Sequence, residues 1–185
     1  MSSQNYFHTL HHLVTVINSS LDPTKVLAKV TEETAKTMNC KASTIRLLND
    51  EGNVLLSSAA YGLSADYMRK GPIEVAKSGL DGEVLSGKTI HLRDASSDGR
   101  FQYPSAAKKE GLISVLSAPL MVDGKAIGLI RVYSDKERDF SPEEIEFMDA
   151  AAGVSALAIQ NARLFARVRS DLELQMTYTY QVFED

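Results

Sequence analysis

The stretch Ser114-Val115-Leu116-Ser117-Ala118-Pro119-Leu120-Met121-Val122-Asp123-Gly124-Lys125-Ala126-Ile127-Gly128-Leu129-Ile130-Arg131-Val132-Tyr133 decides the fold. Two strand-like runs, Ser114 to Met121 and Ala126 to Tyr133, flank Asp123-Gly124. That pair is the strongest short hairpin signal, because the tightest hairpin turns need positive φ at both central residues. In the second run Ala126, Gly128, Ile130 and Val132 share one face, and Ile127, Leu129, Arg131 and Tyr133 share the other. Small residues on the first face predict close approach of a helix. On the second, an arginine in mid-strand needs a partner or water. The next element opens at Ser141-Pro142-Glu143-Glu144, with an N-cap serine, a proline at the first helical position and a glutamate closing a capping box. No Gly or Pro after Gly153 interrupts this helix. Helical to about Phe183, it would be on the order of 60 Å long, roughly twice the diameter of a small domain. Part of it is therefore expected to leave the core.

Working outward, Phe7, Leu10, Val14 and Ile17 recur at helical spacing, and Asn18 to Asp22 breaks the pattern. Asp22-Pro23 restarts a helix whose buried face carries Val26, Leu27, Val30, Ala35 and Met38. Ala42 to Leu48 and Val54 to Tyr61 read as strands around the turn Asn49 to Asn53. In the first strand Thr44, Arg46 and Leu48 share a face opposite Ser43, Ile45 and Leu47. Gly62 to Gly71 reads as a loop with a short turn at Ala65 to Arg69, and Ile73 to Val75 as a brief strand. Ser78 starts a short helix that Gly87 ends, Ile90 to Leu92 is a short strand, and Pro104 to Glu110 a small helix stopped at Gly111. This order predicts an α+β fold, a central antiparallel sheet of about five to six strands with helices on one face.

The bulk properties narrow the function. The chain has 185 residues, 44% of them hydrophobic, and a net charge of -4. That suits one globular domain with extensions and gives no basic face for nucleic acid. No apolar run approaches the length of a membrane span, so no direct membrane contact is expected. A single cysteine, Cys40, excludes an internal disulfide and suits a reducing, cytoplasmic setting. No histidine lies near Cys40 in sequence, no catalytic set assembles, and neither an enzyme nor a cofactor is expected. His8 and His12 have a zinc-like i, i+4 spacing but no carboxylate or thiol beside them, so no metal is expected. His91 is expected to be structural rather than a haem ligand.

Four stretches resemble the GAF domain, a small sensory module of signalling proteins. They are Ser78 to Lys88, Asp94 to Phe101 with its Asp98-Gly99-Arg100-Phe101, the hairpin Ser114 to Leu120 with Gly124 and Ile127-Gly128-Leu129, and Ala158 to Phe165. The resemblance covers about Asp22 to Phe165. It implies that the N- and C-terminal helices pack on one face of the sheet. Short helices and loops between the second and fourth strands would roof a ligand pocket on the other. The ligand-binding residues would be Arg46, Leu80, Asp81, Phe101, Tyr103, Ala107, Leu129, Arg131 and Tyr133. It also sets the strands of Arg46 and Arg131 side by side. Two readings of these arginines fit: a floor for an anionic ligand, or pairs with protein carboxylates such as Asp81, Glu83 or Asp94. Phe101 and Tyr103 either sandwich a planar ring or fill the space beneath the roof.

The cyclic-nucleotide-binding members carry an Asn-Lys…Phe-x-x-x-Asp-Glu signature. Here Lys136, Phe140 and Glu144 match in kind, but the Asn is missing and Ile145 replaces the second acid. The methionine-sulfoxide-reducing members use several cysteines, and Cys40 is not placed like the bilin-attaching cysteine of others.

The long helix carries two apolar stripes. Ile145, Met148, Ala152 and Ile159 suit the sheet; Val154, Leu157, Leu164, Val168 and Leu172, with Asn161 in the same pattern, run past the domain. With the N-terminal stripe they predict a homodimer through Leu10, Val14, Val154, Leu157, Asn161, Leu164 and Val168. Residues 1–21 form a dimerisation or linker helix, 22–165 the sensory domain, and 166–185 a signalling-helix extension. The expected function is a regulatory domain that binds an unidentified small molecule, with an anion favoured by the arginines, and signals to an output domain through the dimeric helix. The alternatives are a non-binding dimerisation module with a self-filled pocket, a cyclic-nucleotide receptor or a GAF-fold enzyme.

Overall fold

The computed structural model describes residues 3–19 and 22–182. Helices α1 (Ser3–Ser19) and α2 (Pro23–Thr37) precede strands β1 (Ala42–Leu48) and β2 (Val54–Tyr61). Then come α3 (Ala65–Met68), β3 (Ile73–Glu74), a 3₁₀ turn at Val75–Lys77, α4 (Gly79–Leu85), β4 (Ile90–Leu92) and α5 (Pro104–Glu110). The chain closes with β5 (Ser114–Val122), β6 (Lys125–Ser134) and α6 (Pro142–Val182). The six strands form one antiparallel sheet in the order β3-β2-β1-β6-β5-β4. The α+β expectation holds.

Local chemistry explains the boundaries. Asp123 and Gly124 both sit at positive φ, 49° and 75°, the geometry that matches the strand twist of a two-residue hairpin. Asn49 Oδ1 accepts the amides of Asn53 and Val54 and closes the β1–β2 turn. Asp22 caps α2 through the Thr24 amide, at 3.0 Å. Ser141 and Glu144 bond each other's amides reciprocally at the start of α6, at 3.3 and 2.9 Å.

The back of the sheet is hydrocarbon against helices. Ile45, Leu116, Ala118, Leu120, Ile130 and Val132 pack with Val26, Val30, Phe147, Met148, Ala152 and Ile159. The inner stripe of α6 is therefore core, as expected, with Ile145 half-buried at its edge. Helix α1 joins this layer through Leu13, which is fully buried, through a Thr9–Thr37 hydroxyl bond of 3.0 Å, and through stacking of Tyr6 on Phe147 at 5.0 Å.

One face assignment and one packing reason need correction. Ile127 packs at the edge of the back core, not on the front with Leu129. The β5–β6 register shifts at Leu120/Met121, where the extra residue of a bulge reverses the alternation. Gly128 is small for the sake of β1, not a helix: a Cβ there would lie 2.2 Å from the Arg46 carbonyl oxygen.

Candidate functional site

The front of the sheet is covered by α3, α4, α5 and their loops. Its buried lining comprises Leu55, Tyr67, Leu80, Val84, Phe101, Ala107, Leu129 and Tyr133, with Tyr103 half-buried at the rim. Thr44 and Arg46 of β1 stand opposite Arg131 and Leu129 of β6, and Ser117 of β5 stands opposite Arg131. Strand alternation thus brings both arginines onto one face beneath the roof. Each is only 1% exposed.

The two guanidiniums meet different fates. Arg131 pairs with Asp81 and donates from Nε to Ser117 Oγ at 2.5 Å. Asp81, in the first turn of α4 and itself 1% exposed, also accepts from the Ser78 hydroxyl at 2.5 Å. Burial alone would pull the Arg131 pKa down, but the Asp81 carboxylate more than offsets it, so the group stays charged. The Phe101 ring lies over this guanidinium, 5.5 Å from centroid to Cζ. Arg131 is thus the tie between roof and sheet. Arg46 has no such partner. Its Nη1 reaches the Leu55 carbonyl at 3.5 Å, while Nε and Nη2 are buried with no hydrogen-bond partner. The β1–β2 register shifts between Ile45 and Arg46, a bulge beside the group that is left unsatisfied.

Of the three carboxylates considered for the arginines, only Asp81 serves. Glu83 pairs with Arg100 at 3.0 Å, held outside by the α4 surface. Asp94 closes its own turn, accepting from the Ser96 amide at 2.8 Å. Tyr103 donates to the Pro72 carbonyl at 2.8 Å and so fastens the start of α5 to the loop that enters β3.

Sequence reasoning missed two roof residues, Tyr67 and Lys70, in the segment between Gly62 and Gly71. Tyr67 is buried, edge-on to Tyr133 at 6.2 Å, with its hydroxyl unpartnered. Lys70 Nζ is buried 3.6 Å from the centre of the Tyr67 ring and makes no hydrogen bond. Burial, followed by repulsion from Arg46 and Arg131, lowers its pKa to about 7. Short helices that follow a glycine give no periodic pattern, and the one available signal was a lysine directly before Gly71-Pro72.

The residues weighed for other chemistries lie elsewhere. His91 bonds the Arg138 carbonyl at 3.1 Å and packs edge-on against Phe140 at 5.2 Å. Phe140 belongs to the back core, and Glu144 is held by Ser141 and Arg138, so neither lies beneath the roof. Cys40 is half-buried behind the sheet and its thiol is pushed up to about 12 by burial. His8, His11 and His12 are exposed, and no cluster of three metal-ligating side chains occurs among the described residues. No helix of the described residues is long and apolar enough to cross a membrane.

The helical seam divides into two parts. On α6, Leu157, Leu164, Val168 and Leu172 are half or more exposed, as is Phe165 beside them; Asn161 is exposed and Val154 half-buried. On α1, Val14 and Phe7 are exposed, but Leu10 and Ile17 are half-buried against the back core, because they share the docking face with the buried Leu13. A cleft of about 440 Å³ opens between the end of α1, the start of α2 and α6, lined by Ile17, Leu27, Asn161, Leu164, Phe165 and Val168.

Comparison with known proteins fits this architecture. A family model described as GAF domain matches residues 20–160. The Nif-specific regulatory protein of Herbaspirillum seropedicae is 24% identical over 174 residues. The alignment takes in 89% of this chain but only 31% of that protein, so the chain spans under a third of its relative. The GAF domain of a Coxiella burnetii phosphoenolpyruvate-protein phosphotransferase superposes with a TM-score of 0.80 at 20% identity, over 90% of this chain and 99% of that one. The equivalent Acinetobacter domain superposes with a TM-score of 0.74 at 26% identity, over 89% and 97%. With its family model spanning most of the sequence and its sheet, roof and terminal helices laid out as in these domains, the chain belongs to the GAF domain family.

Proposed function

We propose that this domain is a regulatory sensor: a small molecule, an anion by preference, binds between roof and sheet, and the change passes through α6 to an attached output domain. One observation carries the reading. The same strand serves both sides, because Arg131 of β6 holds the roof through Asp81 while Ile130 and Val132, its immediate neighbours, pack against the helical layer that includes α6. A shift of the roof would move β6, and α6, 41 residues long in all, makes that contact in its first half and continues beyond it. Kinship with a regulatory protein supports the reading. The pocket has no catalytic role in this account.

Its second half is a homodimer. An exposed stripe of Leu157, Leu164, Phe165, Val168 and Leu172 on a projecting helix is costly in water, and a second copy of the same helix would cover it. A competing reading is a dimerisation module that senses nothing, favoured by the apolar side chains of Leu80, Phe101, Leu129 and Tyr133 packed together under the roof.

Native mass spectrometry of the purified chain, with analysis of released small molecules, separates the two. A co-purifying metabolite, added back at a hundred times its dissociation constant, should stabilise the domain by about 2.7 kcal/mol and change hydrogen exchange along α6. Stabilisation with no change in α6 would defeat the signalling half of the reading. The absence of any stabilising metabolite would favour the self-filled module. Sedimentation should give a dimer that Leu164→Glu with Val168→Glu dissociates; a monomeric wild type would remove the seam.

A further inference from the structure

The front of the sheet holds an imbalance that the fold does not resolve. Three cationic side chains, Arg46, Arg131 and Lys70, lie close enough that both arginines repel the lysine. The one fully buried carboxylate among them, Asp81, is taken by Arg131. The free atoms are specific. Arg46 Nε and Nη2 form one edge of the guanidinium, with two N–H bonds pointing the same way, and both lack acceptors in a site 1% exposed. Tyr67 Oη and Lys70 Nζ are likewise buried and unpartnered. A buried cation without a counter-charge is among the most costly arrangements a protein can hold. A site that keeps one, with two further free donors in reach of the same chamber, is organised around an acceptor that arrives from outside.

We propose that the chamber's ligand is a small organic acid, its carboxylate seated across the Nε–Nη2 edge of Arg46 and closed over by Tyr67 and Lys70. The stoichiometry of donors selects this class. A carboxylate offers two oxygens with about four lone-pair sites, and its plane matches a guanidinium edge. Arg46 supplies two N–H groups, Tyr67 one hydroxyl and Lys70 its ammonium. A phosphate carries up to two negative charges and has more acceptor sites than these four donor groups fill, whereas the four sites of a carboxylate match them. The remaining walls, Leu55, Leu129 and Tyr133, suit the hydrocarbon part of such an acid.

The free nitrogens have no solvent contact, so the roof must lift from the sheet to admit the acid. The segment that carries Tyr67 and Lys70 is bracketed by Gly62 and Gly71, both at positive φ, 72° and 105°. Its surface anchor is Glu110, which accepts from the Ser64 amide at 2.7 Å and the Ser64 hydroxyl at 2.6 Å. These bonds are exposed and exchange readily with water, so residues 63–70 form the lid.

Lys70 also makes binding pH-dependent. Facing it are Tyr67 of the lid, Arg46 of β1, Arg131 of β6, Asp81 of α4, and Tyr103 and Glu110 at the two ends of α5. The lysine is about half neutral near pH 7 before the acid enters. The incoming negative charge restores its proton, so affinity falls as pH rises above 7.

This inference rests on the sensor reading but fails separately from it. The test is calorimetric titration of the full chain with propionate, succinate, inorganic phosphate and neutral succinamide at constant ionic strength, with hydrogen exchange over residues 63–70. A carboxylate should bind and slow exchange in the lid; succinamide should do neither. Arg46→Met should bind the acid roughly 30-fold or more weakly, the loss of a charge-assisted fork. Its unliganded melting temperature should nevertheless rise, which loss of a merely structural arginine would not produce. Lys70→Met should bind more weakly and lose the pH dependence between 7 and 9. Carboxylate binding unchanged in Arg46→Met, phosphate binding more tightly than either acid, or no binding of either acid would overturn the proposal. A neutral metabolite that binds under the roof and alters α6 would overturn it while leaving the sensor intact.

Discussion

Against the helices, the sheet presents Ile45, Leu116, Ala118, Leu120, Ile130 and Val132; against the roof, the same strands present Thr44, Arg46, Ser117 and Arg131. Among the described residues, the unpartnered buried side-chain atoms behind the sheet are neutral hydroxyls, those of Thr34 and Ser43, whereas those in front belong to an arginine, a lysine and a tyrosine. The back is thus a core whose unsatisfied groups are uncharged, and the front holds charge in the dry. A front like this can persist only because the back over-stabilises the sheet. Substitutions behind should therefore lower stability alone, and substitutions in front should couple stability to ligand.

The sharpest way to break this contrast is Asp81→Ala. It leaves the Arg131 guanidinium buried and unpaired, an expected loss of about 3–5 kcal/mol, measured by urea denaturation. The double variant Asp81→Leu with Arg131→Met should recover most of it, since a hydrophobic pair can replace a buried ion pair. A loss of under about 1 kcal/mol for Asp81→Ala would mean that the tie between roof and sheet is not structural. On the back, Phe147→Ala removes a buried ring stacked on Tyr6 and should cost about 3–5 kcal/mol, with no change in acid binding per folded molecule. A changed dissociation constant would show that the two faces are coupled more tightly than this division allows. Smaller is Gly128→Ala, expected to cost about 1–3 kcal/mol by overpacking β6 against the β1 backbone. Because the displaced atom is the Arg46 carbonyl oxygen, this variant should also disturb the front.

Much of the architecture was legible because it rests on strong local signals. Asp123-Gly124 set the last hairpin, Ser141 to Glu144 set the start of α6, and period-two alternation put Arg46 and Arg131 on one face. Alternation failed where a bulge intervened, at Ile127, which no residue pattern marks. The pairing of the arginines was open for a different reason. Which of Asp81, Glu83 and Asp94 turns inward depends on how the roof helices dock, a tertiary choice; only Asp81 sits on the inward side of α4, with Glu83 outside on Arg100. On α1 the stripe mixed two faces: Leu10 and Ile17, with Leu13 at helical spacing between them, dock on the core, while Phe7 and Val14 face out. Lys70 was hidden because burial of an ammonium is a property of a folded loop, and its sequence neighbourhood reads as solvent.

The gentlest probe of the contrast is pH. In the unfolded chain Lys70 titrates near its ordinary value of 10.5, and in the folded domain near 7. Below pH 7 both states carry the proton, and the folded state bears the whole cost of a buried ammonium. Between pH 7 and 10.5 the unfolded chain holds more proton than the folded one, so stability rises with pH through that window. The Lys70 stem is half-buried and its Nζ buried, so what the measurement reads is the direction, a gain of stability as pH rises through this window. Other groups titrate in the same range, and comparison with Lys70→Met isolates this one: the variant's advantage should be largest below pH 7 and shrink towards pH 10.5. A variant whose advantage is constant across the window would mean that the lysine leaves the chamber for water. The same measurement with a saturating carboxylate should move the window upward, because the acid holds the proton on Lys70. That shift belongs to the front of the sheet alone, and Phe147→Ala should leave it in place.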